Sequence, residues 1–397
     1  MKKIYFDNAA TTYVDQRVLK AMLPYFSDEF GNASSLHSFG QEAEAAVLKA
    51  KDIIANFLNC QAKEIIFTSG GTESNNTVLK GVFGDYQGPV SPGASQGGHL
   101  ITSAFEHPSV LEVAKFLNKR GVEVTFIKPE ANGLIDPQGV LKAIRPHTKL
   151  ISIMYVNNEI GTIQNIGKIG KKLTEINKSR KNKILFHSDA VQATYFVPMD
   201  VTRLRVDFLS ISGHKIYGPK GVGVLYVREG IKITPLLHGG HQENNFRAGT
   251  YNVPAIVGLA KAVSLLNTTE HQKELTKTKK LRDALIDKVL QMKGASLNGE
   301  RESRLVNNAN FLFKNVEGES LLLKLDMAGV ACSTGSACAS GSLQASHVLL
   351  SIGVKPENAH GSLRITIGKD NTMSDINHFV QVLKKIIKEL RNFSPLK

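Results

Sequence analysis

The sequence predicts an α/β fold, in which helices wrap a mostly parallel central sheet and a smaller α+β domain is attached. The middle of the chain alternates short β-branched runs with helical patterns, and this alternation is typical of a parallel sheet covered by helices. The chain has 397 residues, of which 42% are hydrophobic and 21% charged, so it has material for more than one compact unit. We therefore expect a large domain over residues 15–253 and a small domain built from residues 1–14 and 254–397.

The large domain is expected to contain a series of short buried strands with helices between them. The segment Ser38–Leu58 carries apolar residues at the spacing of one buried helical stripe. The predicted strands are Ile65–Thr68, Leu100–Ser103, Glu123–Ile127, Leu150–Tyr155, Ile184–Ser188, Phe208–Ser212 and Gly223–Val227.

The small domain begins where the texture of the sequence changes, near residue 254. A long, Lys-rich stretch, Pro254–Met292, predicts one extended helical region. It is followed by the strand-like segments Asn310–Phe313 and Leu363–Ile367 and by a last helix, Ser374–Asn392. Within the large domain, Gly84–Gly98 is rich in Gly, Pro and Ser and predicts a surface loop.

Composition limits the location and the partners of the protein. No apolar run approaches the length needed to cross a bilayer, and the N-terminus lacks the apolar stretch of a signal peptide, so a soluble cytoplasmic protein is expected. The net charge is +14, but Lys and Arg are dispersed and their densest runs, Lys277–Arg282 and Lys384–Arg391, lie on helix-like segments. We interpret these runs as solvated faces and expect no direct nucleic-acid binding, although a positive field attracts acidic partners or tRNA.

Two glycine-rich turns at strand ends are candidates for binding a phosphate. Ser69–Ser74 follows a predicted strand and opens a helix, where backbone N–H groups and the helix dipole favour an anion; the alternative is a tight turn in which Thr72 caps the helix. In Ser210–Gly221, Lys215 is suited to form a Schiff base with an aldehyde cofactor whose phosphate Ser212 and His214 would contact. A basic surface turn is the alternative for this second segment.

Three further strand ends carry polar side chains. Asp189 ends a buried strand, where a protonated pyridine nitrogen would be a fitting partner, and Gln192 one turn later is suited to meet a ring hydroxyl; a helix N-cap role for Asp189 is equally open. His107 is suited to stack on a flat ring and exchange protons, and Asn158 to bond a ring hydroxyl, although each could be a capping residue. Because ligands bind beyond the carboxyl ends of the strands in open α/β sheets, we expect these turns to converge on one crevice.

The three cysteines are too few for a disulfide framework or a four-cysteine zinc site. Cys338 lies in a long run of Gly, Ser and Ala, which predicts an exposed, mobile thiol suited to act as a nucleophile. Cys60 and Cys332 fit better as small packing residues. On a C-terminal strand, Arg364 is suited to grip a carboxylate with two hydrogen bonds, and a surface-facing arginine is the alternative.

An ordered set of motifs spans nearly the whole chain and carries a family resemblance. The motifs are YFDNAATT, FTSGGTESNN, EHPSVL, VNNEIGTIQ, HSDAVQ, SGHKIYGPKGVG, RAGT, STGSACASGS and SLRITIG. On these motifs the chain resembles the NifS/IscS group of cysteine desulfurases, which are fold-type-I pyridoxal-phosphate enzymes within the class-V aminotransferase family.

The resemblance implies a role for each candidate residue. Lys215 would carry pyridoxal 5'-phosphate, Asp189 would pair with its pyridine nitrogen and His107 would stack on its ring. Cys338 would be the catalytic nucleophile, Arg364 would bind the substrate carboxylate with Asn158 beside it, and Thr250 would reach the phosphate of the neighbouring subunit. The residues implied to hold the rest of the cofactor are Gly71, Thr72, Ser212 and His214 at the phosphate, and Asn158 and Gln192 at the ring hydroxyl.

The implied function is that of a homodimeric cysteine desulfurase. The enzyme would convert L-cysteine to L-alanine, hold the sulfur as a persulfide on Cys338 and pass it to an acceptor protein, such as an iron–sulfur scaffold or a tRNA-thiolating enzyme. The chain departs from the family pattern at His241 and Asn244, where glycine and arginine are common. The nearest alternative is a selenocysteine lyase or small-amino-acid transaminase of the same fold, in which Cys338 would be incidental.

Overall fold

The computed structural model describes residues 3–84, 97–334 and 345–393. Most of the predicted loop Gly84–Gly98 lies outside these residues, and so does Cys338. The strands are β1 Ile4–Tyr5, β2 Ile65–Thr68, β3 His99–Ser103, β4 Glu123–Ile127, β5 Thr148–Ser152, β6 Leu185–Asp189, β7 Phe208–Ser212, β8 Gly223–Val227, β9 Ala295–Leu297, β10 Asn308–Phe313, β11 Val330–Ala331 and β12 Ser362–Thr366.

Helices precede and follow most of these strands along the chain. Their bounds are α1 Gln16–Met22, α2 Pro24–Ser27, α3 Ser38–Leu58, α4 Gly71–Phe83, α5 Pro108–Lys119, α6 Pro137–Lys142, α7 Ile166–Asn177, α8 Val201–Leu204, α9 Val253–Leu266, α10 Thr269–Leu290, α11 Gly318–Met327, α12 His347–Ser351, α13 Pro356–Ala359 and α14 Met373–Phe393.

The central sheet has the strand order β2-β8-β7-β6-β5-β3-β4 in the described part of the chain. Its neighbouring strands run parallel except at β8, which is antiparallel to both β2 and β7. Every residue of β2, β3, β7 and β8 is buried, because helices cover both faces of the sheet. The predicted α/β class with a mostly parallel sheet is confirmed.

The helix α3 shows how the sequence pattern specifies an element and its ends. Its predicted bounds, Ser38–Leu58, are those observed. The ring of His37 accepts a hydrogen bond at the N-terminus, and Asn59 ends the helix in the left-handed conformation with φ 56°, which asparagine tolerates better than most residues. The buried stripe that includes Val47 and Ile54 packs in the core of the large sheet, where α3 lies against α9.

The predicted helical region Pro254–Met292 is wrong as a single element, because the structure divides it into α9 and α10. The break lies at Asn267 and Thr268. Thr268 adopts an extended conformation, and its side chain accepts a hydrogen bond from the backbone N–H of His271 at 3.2 Å, which satisfies one of the free donors of the new helix.

A second hydrophobic core brings the two ends of the chain together. It includes Phe6 beside β1 and Phe379 on α14, whose rings meet edge to face with centroids 5.6 Å apart. The small sheet β12-β10-β9 and the parallel pair β1-β11 border this core. The helices α9 and α12, in contrast, contribute buried residues to the core of the large sheet. The predicted division into domains at residues 14/15 and 253/254 stays a prediction.

Within residues 3–84, 97–334 and 345–393, no helix combines the length and the apolar character that crossing a bilayer demands.

We expect Phe379→Ala to lower the free energy of unfolding by about 3–5 kcal/mol, because it removes a fully buried aromatic ring and leaves a cavity beside Phe6. Urea unfolding followed by circular dichroism measures the loss. His378→Ala, at an exposed neighbouring position on the same helix, is the control and should change stability by less than about 0.5 kcal/mol. Equal stability of the two variants would contradict the assignment of this core.

Candidate active site

A cleft at one edge of the central sheet contains most of the predicted site residues. The strands β2, β3, β5, β6 and β7 all end at this edge, and the cleft has a cavity volume of about 310 Å³. Of the predicted residues, those that line it are Gly71, Thr72, His107, Asn158, Asp189, Gln192, Ser212, His214, Lys215 and Arg364. The expected convergence of strand ends on one crevice is therefore observed.

The N-terminus of α4 forms one end of the cleft. Its N-cap is Gly70, with φ 149° and no side-chain capping bond, so Thr72 lies inside the helix and the alternative of a Thr72 cap is wrong. Gly71 allows a close approach, since a Cβ atom there would lie 2.5 Å from a methyl carbon of Val191. An uncapped helix N-terminus with glycine at its first residue is suited to an anion.

Two side chains after β7 complete this end of the cleft. Ser212 is buried and ends the strand, and His214 follows in a short 3-10 turn. Burial, together with the positive charges of Lys215 and Lys220, lowers the pKa of His214 to about 4. The His214 ring is therefore neutral at physiological pH and is available for hydrogen bonding.

Lys215 is held by the N-terminal segment of the chain. Its Nζ donates to the carbonyl oxygen of Ala9 and, at 2.8 Å, to that of Ala10. Gln192 also donates to the carbonyl of Ala9, at 3.0 Å. Ala9 and Ala10 were not predicted as site residues, because their backbone oxygens carry no signal in the side-chain pattern. The alternative of a basic surface turn at Lys215 does not fit its place in the cleft.

Asp189 ends β6 inside the cleft with 6% of its surface exposed. Its Oδ1 accepts a hydrogen bond from the backbone N–H of Val191 at 2.9 Å, and its Oδ2 accepts one from Asn75 Nδ2 at 2.7 Å. Turns, not a helix, follow the strand, so the helix N-cap alternative is wrong. Asn75 was missed from the sequence, although it lies one turn after Thr72 in the same motif and on the same face of α4.

His107 precedes α5 and lines the cleft. Its Nδ1 accepts a hydrogen bond from the backbone N–H of Ser109 at 3.1 Å and lies 2.8 Å from the Ser109 hydroxyl. Burial is the main cause that lowers the pKa of His107. His107 therefore caps the N-terminus of α5, as one of the two interpretations of the sequence allowed, and it also lines the cleft.

Arg364 lies on β12 with 3% of its surface exposed, so the surface alternative is wrong. Its Nη1 donates to the carbonyl oxygen of Asn158 at 3.0 Å, and its Nη2 donates to Asp7 Oδ1 at 2.8 Å. Arginine has five N–H donors, and among the described atoms Arg364 Nε has no partner. The guanidinium is thus fixed at the cleft with a donor left to bind a carboxylate.

The described residues on either side of segment 335–344, which contains Cys338, are bonded to Arg364 in the cleft and to Glu159, which follows the cleft residue Asn158. Ser333 exchanges backbone hydrogen bonds with Arg364, and Ser362 Oγ donates to the carbonyl oxygen of Thr334 at 3.0 Å. On the other side, the Ser346 hydroxyl donates to Glu159 Oε2 at 2.5 Å. Cys338 itself lies outside the described residues.

The two cysteines of the described chain are poor nucleophiles. Burial raises the pKa of the Cys60 thiol to about 12, and burial likewise raises the pKa of the Cys332 thiol far above its ordinary value. Both are free and partly buried, and both pack against hydrophobic cores, as predicted. Because the thiolate is the reactive form, neither is suited to attack a substrate at neutral pH.

Two buried glutamates beside the cleft were not predicted. Burial raises the pKa of Glu106 to about 8, although Ser103 Oγ and the backbone N–H of Met154 donate to its Oε1 at 2.5 and 2.8 Å. Burial also raises the pKa of Glu159, the partner of Ser346. Both lie next to predicted residues in the chain, but burial that depends on distant elements gives no signal in the local sequence.

Thr250 is exposed and does not line the cleft. The segment before it is tied to helices α3 and α4, because the buried Lys51 of α3 donates to Glu243 at 2.5 Å and Arg247 Nε donates to Glu73 of α4 at 2.9 Å. Glu243 and the next two residues have positive φ values of 51°, 53° and 68°. The second of them is Asn244, one of the two positions where the sequence departs from the family pattern. Ion pairs therefore fix this unusual backbone close to the N-terminal end of α4.

The residues of the cleft fit pyridoxal 5'-phosphate. The uncapped helix N-terminus and Ser212 suit a phosphate, the carboxylate of Asp189 suits a protonated ring nitrogen, and Lys215 supplies an amine for an aldehyde. Within the described residues, Asn75 Oδ1 is buried in the cleft wall without a partner, which is consistent with a polar group that the cleft is built to receive.

Comparison with known proteins places the chain in a family. The family model for aminotransferase class-V matches residues 4–379. The chain belongs to the class-V aminotransferase family. Members of this family depend on pyridoxal 5'-phosphate, so the predicted cofactor and the predicted fold are confirmed at the level of the family.

Within the class-V aminotransferases, the similar proteins are cysteine desulfurases and NifS-like proteins. The cysteine desulfurase IscS of Dictyoglomus turgidum is 49% identical over 397 residues, which cover 100% of this chain and 97% of that protein. A solved NifS-like protein is 36% identical with a TM-score of 0.88, covering 98% of this chain and all of that one. SspA, solved in complex with cysteine, is 37% identical with a TM-score of 0.79, covering 93% of this chain and all of that one.

We expect the wild type to lose folding stability as the pH rises toward 8, because Glu106 ionises first in the unfolded chain, and we expect Glu106→Gln to lack this loss. A carboxyl with a pKa of about 8 in the fold and about 4.3 in the unfolded chain favours folding when protonated. Its contribution is therefore complete below pH 4 and falls by about 1.4 kcal/mol per pH unit until about pH 8. Glutamine keeps the acceptor oxygen and cannot ionise.

Urea unfolding at pH 5.5 and pH 7.5 measures this effect. The stability of Glu106→Gln relative to the wild type should rise between the two pH values. The control is Glu112→Gln on the exposed face of α5, which should show no such rise. A parallel pH dependence of Glu106→Gln and the wild type would contradict a protonated Glu106.

Proposed function

We propose that this chain is a cysteine desulfurase that takes sulfur from L-cysteine, holds it as a persulfide on Cys338 and passes it to an acceptor protein. One observation carries the proposal: on one side of the segment that contains Cys338, Ser333 is bonded to Arg364 of the cleft, and on the other side Ser346 is bonded to Glu159, the neighbour of Asn158 in the cleft. The similar IscS proteins are named cysteine desulfurases, and SspA has been solved with cysteine, which supports the same substrate.

In this proposal the residues of the cleft bind the amino acid and its cofactor. Arg364 binds the substrate carboxylate through Nε and its remaining donors, with Asn158 beside it. Gly71, Thr72, Ser212 and His214 hold the phosphate. Asp189 pairs with the ring nitrogen, Asn158 and Gln192 meet the ring hydroxyl, and His107 lies against the ring. Pyridoxal 5'-phosphate supplies an electron sink for the carbanion that forms when the α-proton leaves.

The sulfur transfer step needs a proton acceptor and a thiolate. Lys215 Nζ takes the α-proton of the substrate. A new S–S bond then forms between the Cys338 thiolate and the substrate sulfur while the Cβ–S bond breaks. The electron pair of the broken bond stays with the carbon skeleton, which takes up protons and leaves as L-alanine. The sum is one thiol and one cysteine converted to one persulfide and one alanine.

The persulfide is proposed to pass to an iron–sulfur scaffold, a tRNA-thiolating enzyme or both. Purified protein incubated with cysteine and each candidate acceptor, followed by persulfide mass spectrometry of the acceptor, identifies the route. The cytoplasmic location expected from the sequence stays a prediction.

We also propose that the active protein is a homodimer in which Thr250 reaches the phosphate site of the neighbouring subunit. Large apolar side chains are exposed around α1, α2 and the start of α3, and a protein surface with such a patch favours association. Phe30 is 65% exposed and Leu36 92% exposed. The other exposed side chains of this patch are Leu23, Phe26 and Phe39.

We expect Cys338→Ser to abolish sulfide release from cysteine and to preserve the visible absorbance of the bound cofactor, because the hydroxyl replaces the attacking thiolate only. Cys60→Ser and Cys332→Ser are the controls and should keep at least half of the activity, since both thiols are protonated at neutral pH. Sulfide production by Cys338→Ser would contradict the proposal and would favour a selenocysteine lyase or transaminase.

We expect Phe30→Glu to convert the dimer to a monomer, because it places a charge in the exposed apolar patch. Light scattering after size-exclusion chromatography measures the mass, and absorbance measures the cofactor content. The monomer should also bind cofactor at least tenfold more weakly, since it lacks the contribution proposed for Thr250. Leu323→Glu, which changes a residue with 67% exposure on α11, is the control and should stay dimeric. A dimeric Phe30→Glu with full cofactor content would contradict this arrangement.

A further inference from the structure

Four side chains form a continuous line of hydrogen bonds along the wall of the cleft. Asp189 Oδ2 accepts from Asn75 Nδ2 at 2.7 Å, and the same nitrogen donates to Ser109 Oγ at 2.8 Å. Ser109 Oγ lies 2.8 Å from His107 Nδ1. Asn75 is completely buried, Ser109 is 9% exposed, and all four side chains line the cleft, so water competes little for these bonds.

The direction of each bond in this line follows from Asp189. A carboxylate accepts hydrogen bonds, so the atom of Asn75 that faces Asp189 must be the amide nitrogen. The second hydrogen of that nitrogen occupies a lone pair of Ser109 Oγ. The Ser109 hydroxyl hydrogen is then free to point at His107 Nδ1, the other neighbour of the oxygen.

A second contact determines the state of His107 independently. The backbone N–H of Ser109 also points at His107 Nδ1, at 3.1 Å. A backbone amide can only donate, so Nδ1 must carry a lone pair. A neutral imidazole has one hydrogen, which must then be on Nε2.

We propose that Asn75 and Ser109 are positioning residues that hold His107 as the neutral tautomer with its hydrogen on Nε2. Within the proposed function, on which this inference rests, His107 therefore acts as a hydrogen-bond donor in the cleft and not as the base. Nε2 has no lone pair with which to take a proton, and the single lone pair of Nδ1 is already shared by the Ser109 backbone N–H and hydroxyl. The proton transfers at the substrate then fall to Lys215.

The surroundings of His107 favour the neutral ring. The charged and titratable groups near it are Asp189, Lys215 and His347, and the buried Glu106 precedes it in the chain. Lys215 and His347 disfavour a second positive charge, while Asp189 favours one. Burial is the largest influence and acts against the charged form. We therefore expect a single neutral tautomer of His107 between pH 7 and pH 9.

Nitrogen-15 NMR of the imidazole rings tests this inference on both the cofactor-free protein and the holoenzyme. The protein is labelled at histidine, and the signal of His107 is assigned by its loss in His107→Gln. We expect one ring nitrogen with a directly bonded hydrogen, Nε2, and one without, Nδ1, with no change between pH 7 and pH 9. A hydrogen on Nδ1, or conversion to the doubly protonated ring within this range, would overturn the proposal.

Variants of Ser109 and Asn75 test whether the line of bonds is the cause. Ser109→Ala removes one of the two bonds to Nδ1 and should raise the ratio of the Nδ1–H tautomer to the Nε2–H tautomer about fivefold, the worth of one hydrogen bond. Ser109→Thr keeps a hydroxyl and should restore the wild-type ratio. Asn75→Ala removes the amide that donates to Ser109 Oγ, so the Ser109 hydroxyl is no longer oriented toward His107. This variant should also raise the ratio of the Nδ1–H tautomer to the Nε2–H tautomer.

Asn76→Ala is the matched control, because Asn76 is the next residue of α4 and its amide donates only to the Thr72 carbonyl among the described groups. It should leave the His107 signals unchanged. Unchanged signals in both Ser109→Ala and Asn75→Ala would show that the line of bonds does not fix the tautomer. The wild type separates this inference from the proposed function: absence of sulfide release from cysteine contradicts the function, whereas a hydrogen on Nδ1 contradicts only the role of His107.

Discussion

The burial of the Asp189 carboxylate at the end of β6 is the constraint on which the rest of the site depends. A charge at the end of a buried strand is stable only with donors around it, and the protein supplies the Val191 backbone amide and the Asn75 side chain. Asn75 must be buried to reach Asp189, and so it comes from the inner face of α4, the helix whose N-terminus suits the phosphate. One helix therefore sets the distance between its own N-terminus and the Asp189 carboxylate.

The side of the cleft that contains Lys215 and Arg364 depends in the same way on the ends of the chain. The carbonyl oxygens of Ala9 and Ala10 hold Lys215, and Asp7 holds Arg364. The same N-terminal segment is anchored by Phe6, whose ring packs on α14. Arg364 also exchanges backbone hydrogen bonds with Ser333, so the packing of the second core fixes both this side of the cleft and the residues that precede segment 335–344. A change that loosens the second core would therefore also disturb the geometry of the cleft.

The sequence predicts best what is local. The bounds of β2, β4, β7, β8 and α3 were predicted to the residue, because apolar runs and periodic stripes are carried by consecutive residues. The break between α9 and α10 was missed, since the Lys-rich helical pattern continues past Asn267. Among site residues, those at strand ends were found. Asn75 and the Ala9 carbonyl were missed, because their roles arise from contacts with residues more than 100 positions away.

The buried carboxyl group of Glu106 is bonded differently from that of Asp189. Burial raises the pKa of Glu106 to about 8, so a proton neutralises it near neutral pH, and burial also raises the pKa of Glu159. Glu106 Oε2 has no partner within the described chain, which suits a neutral carboxylic acid better than a carboxylate. Asp189, in contrast, has an N–H donor on each of its two oxygens, whereas both donors of Glu106 are on Oε1. Asp189 also lines the cleft and Glu106 does not, so Asp189 is the carboxylate that a positively charged ligand in the cleft would meet.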